Sequence, residues 1–306
     1  MKDTTPKNDR VEIIEVGLRD GLQNEALFIA TETKLQIIDM LIAAGVKRMQ
    51  VTSFVHPKRV PQMSDAEAVC ANLPRGEGIE YSGLVLNSKG LERAKAAGLA
   101  VVDMSISASD RHSRKNANRS LAEARVEFGS MVRQARDYGM KIRGGIQCAF
   151  GCGEEGPVEM ETVVDIAKNH VASGVDELAI ADSAGVANPA QVSQLIAEVR
   201  SFAGDIPIIL HLHDTRGLGL ANVLAALNSG VRHFDTAFGA LGGCPFISGA
   251  SGNIGTEDTL FMLEGMGYVT GIERAKVAEC SLLLERLLGR SLPGKMYRPE
   301  LDNMKA

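Results

Sequence analysis

The sequence predicts a (β/α)8 barrel, and three observations support this fold. Apolar runs recur about every 25–35 residues and alternate with amphipathic segments of helical period, which is the pattern of βα units. Eight such runs are present, and no GxGxxG motif follows the first one, which disfavours an open dinucleotide-binding sheet. No linker or composition break divides the 306 residues. We therefore expect a single domain over residues 1–306, with the barrel over about 11–268 and a helical extension over about 271–306.

Each predicted strand is a short apolar run bounded by glycine, proline or charged residues. The strands are predicted at residues 11–17, 48–53, 80–86, 101–107, 141–148, 177–182, 206–213 and 233–238. Helices are predicted between them at residues 31–44, 63–73, 89–97, 118–138, 158–173, 188–202, 217–229 and 256–266, with another at 271–289. The carboxyl ends of barrel strands carry the active site, so the residues at those ends are the functional candidates.

Composition and charge exclude several classes of function. The net charge is −5 and no basic block stands out, which disfavours nucleic-acid binding. No apolar run approaches the length of about 18 residues that a membrane span needs. The segment MKDTTPKNDR lacks the apolar core of a signal peptide, and the five cysteines form a sparse, odd set. We therefore expect a cytoplasmic protein with free thiols.

The first predicted strand ends in a dense polar segment, EVGLRDGLQNE at residues 15–25. A carboxylate at Asp20 can bind a divalent metal ion. Arg19 can stabilise an oxyanion that develops during a reaction. A solvated loop with a surface ion pair is the alternative interpretation of this segment.

Polar residues also lie in or directly after the second, fourth, fifth and sixth predicted strands. Gln50 can hydrogen-bond either a ligand or only a neighbouring loop. The basic cluster at residues 111–119 can bind a phosphate-bearing ligand, or it can be a solvent-exposed segment that leads into a helix. Arg143 lies in an apolar strand, where an unpaired charge is costly, so we expect it to face a carboxylate in the barrel. Asp182 and Ser183 end the sixth strand, and both side chains can face the same open end of the barrel as the other candidates.

The seventh predicted strand gives the strongest indication of a metal. The apolar run IPIIL at residues 206–210 leads into His211 and His213. Residues two apart on a strand face the same side, so both imidazoles point into one space. Two convergent imidazoles suit a divalent metal, although a pair of hydrogen-bonded core histidines is the alternative for an isolated HxH. Potential metal ligands at the ends of other predicted strands favour the metal site over the pair of core histidines.

A glycine-rich stretch, GALGGCPFISGASGN at residues 239–253, follows the eighth predicted strand. Glycines permit the hinge motion and close backbone approach that a lid requires. Cys244 is a candidate acid, base or nucleophile in this setting, although a lone cysteine is more often a structural thiol. Asn253 offers an amide oxygen as a neutral metal ligand, or it caps the helix predicted at 256–266.

Five segments together resemble the 3-hydroxy-3-methylglutaryl-CoA lyase family: VGLRDGLQNE, TSFVHPKRVPQM, HLHDT, GALGGCPFISGASGN and TEDTLFMLEGMG. All lie within residues 15–268, so the resemblance covers nearly the whole chain. The Arg-Asp turn and HxH alone indicate only the wider DRE-type superfamily of metal-dependent acyl-CoA lyases and condensing enzymes. The GGCP loop with GASGN is more specific to the lyases. The resemblance implies a TIM barrel, a Mg²⁺ or Mn²⁺ ion, an acyl-CoA substrate, a homodimer and a place in leucine degradation.

The resemblance also implies roles for individual residues. The metal ligands would be Asp20, His211, His213 and Asn253. The catalytic residues would be Arg19, Cys244, His211 and Asp182. The substrate pocket would be lined by Arg19, Gln23, Gln50, Ser120, Arg143, Gly145 and Ser183.

The implied chemistry is a carbon–carbon cleavage. The metal would chelate the 3-hydroxyl and a carboxylate oxygen of the substrate, and His211, or Asp182 through water, would take the hydroxyl proton. Arg19 would stabilise the thioester enolate, and Cys244 would help to protonate its carbon as the loop closes. The family substrate would give acetyl-CoA and acetoacetate.

The chain departs from the family pattern around the acyl pocket. Gln50 replaces a usual glutamate, Gly145 a tyrosine, Ala179 a serine, Ser183 a threonine and Ala26 a lysine. Loss of the tyrosine opens about one aromatic ring's volume, so a bulkier or differently decorated 3-hydroxy-3-alkylacyl-CoA is an alternative substrate. A condensing synthase of the same superfamily and a catalytically silent barrel are further alternatives. The GGCP loop disfavours the synthase, and the complete ligand set disfavours the silent barrel.

Overall fold

A computed structural model describes residues 10–153, 155–242 and 252–298. Eight parallel strands pair in chain order and close into a barrel, which confirms the predicted fold. The strands are β1 (Glu12–Glu15), β2 (Arg48–Ser53), β3 (Glu80–Val85), β4 (Val101–Ser107), β5 (Lys141–Gln147), β6 (Glu177–Ala181), β7 (Ile208–His211) and β8 (His233–Thr236). The predicted strand ends differ from these by at most two residues.

Helices follow the strands and form the outer layer of the barrel. They are α1 (Thr31–Ala43), α2 (Ala66–Ala71), α3 (Ser88–Ala96), α4 (Asp110–Ala117), α5 (Leu121–Asp137), α6 (Met160–Ser173), α7 (Pro189–Ala203), α8 (Gly219–Asn228), α9 (Thr256–Gly265) and α10 (Arg274–Leu288). None of the helices in the described part of the chain has the length and apolarity needed to cross a membrane.

The helix predicted at 118–138 begins later than expected, and a separate helix precedes it. Asn118 adopts the left-handed conformation, with φ at 57°, and ends α4. Ser120 then begins α5 through a capping box with Glu123, in which each side chain bonds the other residue's backbone N–H. The basic cluster therefore lies largely on α4, a helix that the sequence did not predict.

One apolar core joins the strands to the helices. Ile208, Ile209 and Leu210 of β7 are fully buried, because helices cover one face of the strand and the barrel interior covers the other. Helix α7 turns an apolar stripe at helical spacing toward the sheet, which includes Val192 and Leu195. Burial of each such side chain contributes roughly 1.5–3 kcal/mol.

An ionic network closes the amino-terminal end of the barrel. Arg48 donates to Glu80 and to Glu177 at 2.6 Å each, and Lys141 bonds the same two carboxylates at 2.8 Å. These four residues begin β2, β3, β6 and β5 respectively. The interior is therefore filled at this end, and the functional candidates lie at the opposite end.

Candidate metal and substrate site

A single π turn places Arg19 and Asp20 at the carboxyl end of β1. Residues Gly17–Gly21 form this turn, in which the Asp20 and Gly21 N–H groups donate to the Val16 carbonyl at 2.7 and 3.3 Å. All five residues of the turn are buried. Strand β1 therefore ends two residues earlier than predicted. A π turn in this position is typical of functional sites.

His211, the last residue of β7, and His213, two residues later, converge on Asp20, as the sequence predicted. Nε2 of His211 lies 3.2 Å from Nε2 of His213. Oδ2 of Asp20 lies 3.7 Å from the first of these nitrogens and 3.8 Å from the second. All three side chains are buried, and their potential ligand atoms lie within 4.8 Å of one another. No other such group of three occurs among the residues that the structure describes.

Backbone pairing brings Asn253 to the same point from the far side of the glycine-rich stretch. Asn253 forms an antiparallel bridge with His213, and its Nδ2 donates to Asp20 Oδ2 at 2.8 Å. Its Oδ1 is buried and has no hydrogen-bond partner. The N-cap of α9 is Gly255, so the capping alternative for Asn253 is not observed. Gly242 must be glycine here, because a Cβ would lie 2.5 Å from Asn253 Nδ2.

These four residues fit a divalent cation. Adjacent octahedral ligands of Mg²⁺ are about 3 Å apart, close to the donor separations in this cluster. An unpaired buried amide oxygen is an orphan that a hard cation would satisfy. Burial alone would raise the pKa of Asp20, but the charge of Arg19 and the hydrogen bond with His213 hold it well below its usual range. Asp20 is therefore an anionic ligand at neutral pH.

A second carboxylate orients His211. Asp235 Oδ2 lies 3.0 Å from His211 Nδ1, which leaves Nε2 facing the cluster. Burial would raise the pKa of Asp235, but the charge of Arg143 and the hydrogen bond with His211 lower it to about 2. A carboxylate behind a metal-binding histidine fixes the ring and raises its basicity as a ligand.

Arg19 and Gln23 contact Asp20 directly, and Gln50 contacts Arg19 in turn. Nη1 of Arg19 pairs with Asp20 Oδ1, and Nε of Arg19 donates to Gln50 Oε1. Gln23 Nε2 donates to the same Asp20 oxygen at 2.9 Å. Gln50 therefore bonds residues of the site itself, whereas the sequence left a choice between a ligand and a neighbouring loop.

Arg143 faces two carboxylates inside the barrel, which confirms the sequence expectation. Its Nη2 pairs with Asp235, and its Nε lies 3.2 Å from Asp103 Oδ1. The sequence prediction missed both acids. The signal was available, because each interrupts an apolar strand: VVDMSIS holds Asp103, and HFDT holds Asp235.

A cavity of about 440 Å³ opens from this cluster toward solvent. That volume lies in the range of about 300–1,000 Å³ typical of small-molecule sites. Its inner lining includes Arg19, Gln23, Gln50, Arg143, His211 and His213. Residues of α4, among them His112 and Lys115, line the outer part. The basic cluster therefore contributes to the mouth of the cavity.

Three of the five departures from the family pattern lie on the β5 and β6 side of the cavity, whereas Gln50 lines it from β2. Gly145, Ala179 and Ser183 all line the cavity. The space beside Gly145 is not open, however, because a Cβ built there would lie 2.7 Å from the Cβ of Ser105. The expectation that Gly145 frees a whole ring's volume is therefore wrong in part, since the side chain of the neighbouring strand takes some of that space.

Three of the described site residues that the sequence predicted do not line the cavity: Asn253, which lies behind the metal cluster, Asp182 and Ser120. Both carboxylate oxygens of Asp182 accept backbone N–H groups, from Val186 at 2.9 Å and Ala187 at 3.0 Å. Ser120 caps α5 and does not line the cavity. Cys244 lies outside the described residues.

Comparisons with known proteins agree with this geometry. The HMGL-like family model matches residues 10–284. The mitochondrial hydroxymethylglutaryl-CoA lyase of Homo sapiens is 39% identical over 293 residues, 96% of this chain and 90% of that protein. The crystal structure of the Bacillus subtilis HMG-CoA lyase superposes with a TM-score of 0.91 at 39% identity, covering 94% of this chain and 96% of that one.

An Acinetobacter baumannii HMG-CoA lyase, solved with coenzyme A and 3-methylmalate, superposes with a TM-score of 0.92 at 36% identity. The match covers 97% of this chain and 98% of that one. These matches extend over the barrel and the site together, and they confirm the resemblance seen in the sequence. The chain therefore belongs to the HMGL-like family.

Proposed function

We propose that this protein is a metal-dependent carbon–carbon lyase that cleaves 3-hydroxy-3-methylglutaryl-CoA to acetyl-CoA and acetoacetate. One observation carries the proposal: the cluster of Asp20, His211, His213 and Asn253 lies beside Arg19 at the inner end of an open cavity. The homologous lyases are similar over nearly the whole chain. A site with cation ligands and an adjacent guanidinium suits a reaction that builds negative charge on oxygen.

The four ligands would hold Mg²⁺ or Mn²⁺, which would lower the pKa of the substrate's tertiary hydroxyl and polarise its carboxylate. In our proposal Arg19 receives the thioester oxygen, and its position in the cavity lining next to Asp20 supports this role. Cleavage of the C2–C3 bond leaves its electron pair on the thioester enolate, and the guanidinium stabilises the enolate oxygen. We retain Cys244 as the proposed proton donor to the enolate carbon.

The group that takes the hydroxyl proton is His211 in our proposal. Its imidazole faces the cavity, and Asp235 at Nδ1 stabilises the protonated ring. Asp235 occupies Nδ1, so binding a metal and taking a proton would both use Nε2; His211 can therefore act as the base only while Asp20, His213 and Asn253 hold the ion. Asp182 is less suited as a base, because two backbone N–H groups occupy its oxygens and it shapes the loop that follows β6.

A second candidate substrate is a bulkier or more polar 3-hydroxyacyl-CoA. The observation that favours it is the wall formed by Gly145, Ala179 and Ser105, which lacks large side chains. Gln147 donates to Ser105 Oγ at 2.9 Å, so this wall also carries polar groups. Coenzyme A bound to the Acinetobacter baumannii relative supports an acyl-CoA in either case.

An assay of product release tests the proposed function. The native protein with Mg²⁺ is given 3-hydroxy-3-methylglutaryl-CoA, longer 3-alkyl analogues and a citramalyl-type ester, and acetyl-CoA and the keto product are measured. We expect stoichiometric acetyl-CoA and acetoacetate from the first ester. Release from another ester only would identify the second candidate. Release of free CoA from acetyl-CoA and a 2-oxo acid would instead indicate a condensing synthase.

We also propose a cytoplasmic homodimer that acts in leucine degradation. The four described cysteines are free thiols, which suits a reducing compartment. Leu224 of α8 and Phe261 of α9 are exposed apolar side chains that a partner subunit could cover. Light scattering should give twice the chain mass of 32.6 kDa.

A further inference from the structure

Asp103 lies where two chains of polar side chains meet inside the barrel. In the first chain, Gln50 Nε2 donates to Asp103 Oδ2, and Gln50 Oε1 accepts from Arg19 Nε. In the second chain, Asp103 Oδ1 lies 3.2 Å from Nε of Arg143, which pairs with Asp235. Asp103 is only 5% exposed. This buried acid therefore connects the proposed oxyanion-stabilising arginine to the carboxylate behind a metal ligand.

The carboxylate of Asp103 determines how the amide of Gln50 is turned. A carboxylate only accepts hydrogen bonds, so the amide NH₂ group must face it. The amide oxygen is then left to accept from Arg19 Nε. Ser82 Oγ donates to the same Asp103 oxygen at 2.6 Å and holds the acid in place. The orientation of Arg19 thus depends on Asp103 through Gln50.

Charge explains why glutamine suits position 50 in this chain. The family pattern has a glutamate there, and a glutamate would place its carboxylate directly against that of Asp103. Two buried carboxylates at hydrogen-bond distance cannot both ionise without a large energetic cost. Glutamine removes one charge and turns the contact into a hydrogen bond. Besides Asp20, which pairs with Arg19 directly, the negative charge on this side of Arg19 therefore lies on β4, at Asp103, and not on β2.

We propose that Asp103 is a positioning residue for the lyase reaction: through Gln50 it holds the Arg19 guanidinium against the oxyanion, in place of a carboxylate at position 50. The inference rests on the proposed function, because Arg19 has its role only in that reaction. Gln50 and Asp103 then form a pair in which only one member can carry a negative charge. Because Asp103 is the anion, the residue at position 50 must be neutral.

A double-mutant cycle tests this pair in the full-length protein with Mg²⁺. The variants are Asp103→Asn, Gln50→Glu and the double variant, which moves the charge back to position 50. We expect Asp103→Asn to lower kcat by about 10- to 100-fold with KM changed less than about 3-fold, since the lost interaction acts in the transition state. Gln50→Glu should lower both kcat and Tm. The double variant should recover native Tm and a kcat within about 5-fold of native.

A control separates positioning from general stability. Glu80→Gln removes a carboxylate from the ionic network at the opposite end of the barrel and should lower Tm without changing kcat. If the fold-losses in kcat of the two single variants simply multiply in the double variant, the inference is overturned. A double variant that recovers the native Tm but not the native kcat would overturn it as well. A native protein inactive on every ester would instead overturn the proposed function, and the positioning role with it.

Discussion

Gly145 and Ser105 are paired across β5 and β4, and their side-chain volumes depend on each other. A Cβ at position 145 would lie 2.7 Å from Ser105 Cβ, and neither atom lies at the end of a flexible side chain. The family's tyrosine therefore cannot be restored at position 145 by a single substitution. Any test of the acyl pocket must change both residues.

We expect Gly145→Ala to destabilise the protein by about 1–3 kcal/mol, the usual cost of overpacking a core. Gly145→Ala combined with Ser105→Gly should recover most of that loss, because the second change removes the clashing atom. Urea unfolding measures both. Gly129→Ala in α5 is the control, since its Cβ would meet nothing closer than 3.9 Å. A Gly145→Ala variant as stable as the native protein would contradict the paired arrangement.

Glu15 gives the stability of the fold a pH dependence. Its carboxyl accepts N–H groups of Gly17 and Phe238 and the hydroxyl of Thr256, and burial raises its pKa from 4.5 to about 8. The native state thus holds a proton that the unfolded state releases above pH 4.5. The stabilisation from this proton is complete below pH 4.5 and is lost as the pH rises toward 8.

Glu15→Gln should remove this dependence while keeping the acceptor oxygen for both N–H groups. We expect the Tm of the variant, relative to native, to rise steadily between pH 5 and pH 8, the window set by the shift from 4.5 to about 8. Differential scanning fluorimetry across that range measures the difference. Parallel curves for the two proteins would show that Glu15 does not titrate in this window.

At the scale of elements, the strands were predictable and the π turn was not. Most strands contain a short apolar segment, as IIL does in β7, and burial on both faces makes such segments recognisable in the sequence. The turn at Gly17–Gly21 has no comparable pattern, because tertiary contacts support its backbone. Gly17 shows this, since a Cβ there would lie 2.6 Å from the ring of Phe238. Helix α4 was missed because its eight residues are mostly polar.

Gly17→Ala should therefore impair the site without unfolding the barrel. The added methyl group must push the turn away from Phe238, and that movement displaces Arg19 and Asp20. We expect kcat to fall by about 10- to 100-fold and Mn²⁺ binding to weaken, since catalysis is sensitive to misplacement of about 1 Å. Circular dichroism should remain native. Native kcat and metal affinity in this variant would show that the turn tolerates a side chain.

At the scale of the whole molecule, strand order connects residues that are distant in the sequence. Asp103 is the register partner of Arg143 across β4 and β5, and Asp235 is the partner of His211 across β8 and β7. The sequence predicted Asp20, His211, His213 and Asn253 because they end strands or lie in the glycine-rich stretch. Asp103 and Asp235 could have been noticed as acids that interrupt apolar strands, but their partners could not be assigned before the barrel was closed and its register known.

The described residues form one closed barrel with α10 packed outside it, and a single domain over the full chain remains our proposal. The two ends of the barrel interior differ in role: the ionic network at the amino-terminal end stabilises the fold, and the polar site at the carboxyl end carries the proposed chemistry. Arg48 forms salt bridges with Glu80 and Glu177, and these salt bridges support the fold. Asn253 Oδ1 lacks a partner, which is the sign of an incomplete site.

The most direct test of the central claim is a Mn²⁺ titration of the chelator-treated protein, followed by acetyl-CoA release from 3-hydroxy-3-methylglutaryl-CoA. We predict no release without metal and full release at one ion per chain. Asp20→Asn should need at least about 100-fold more Mn²⁺, because it removes the anionic ligand. Full release by the metal-free protein, or an Asp20→Asn titration identical to native, would contradict the account.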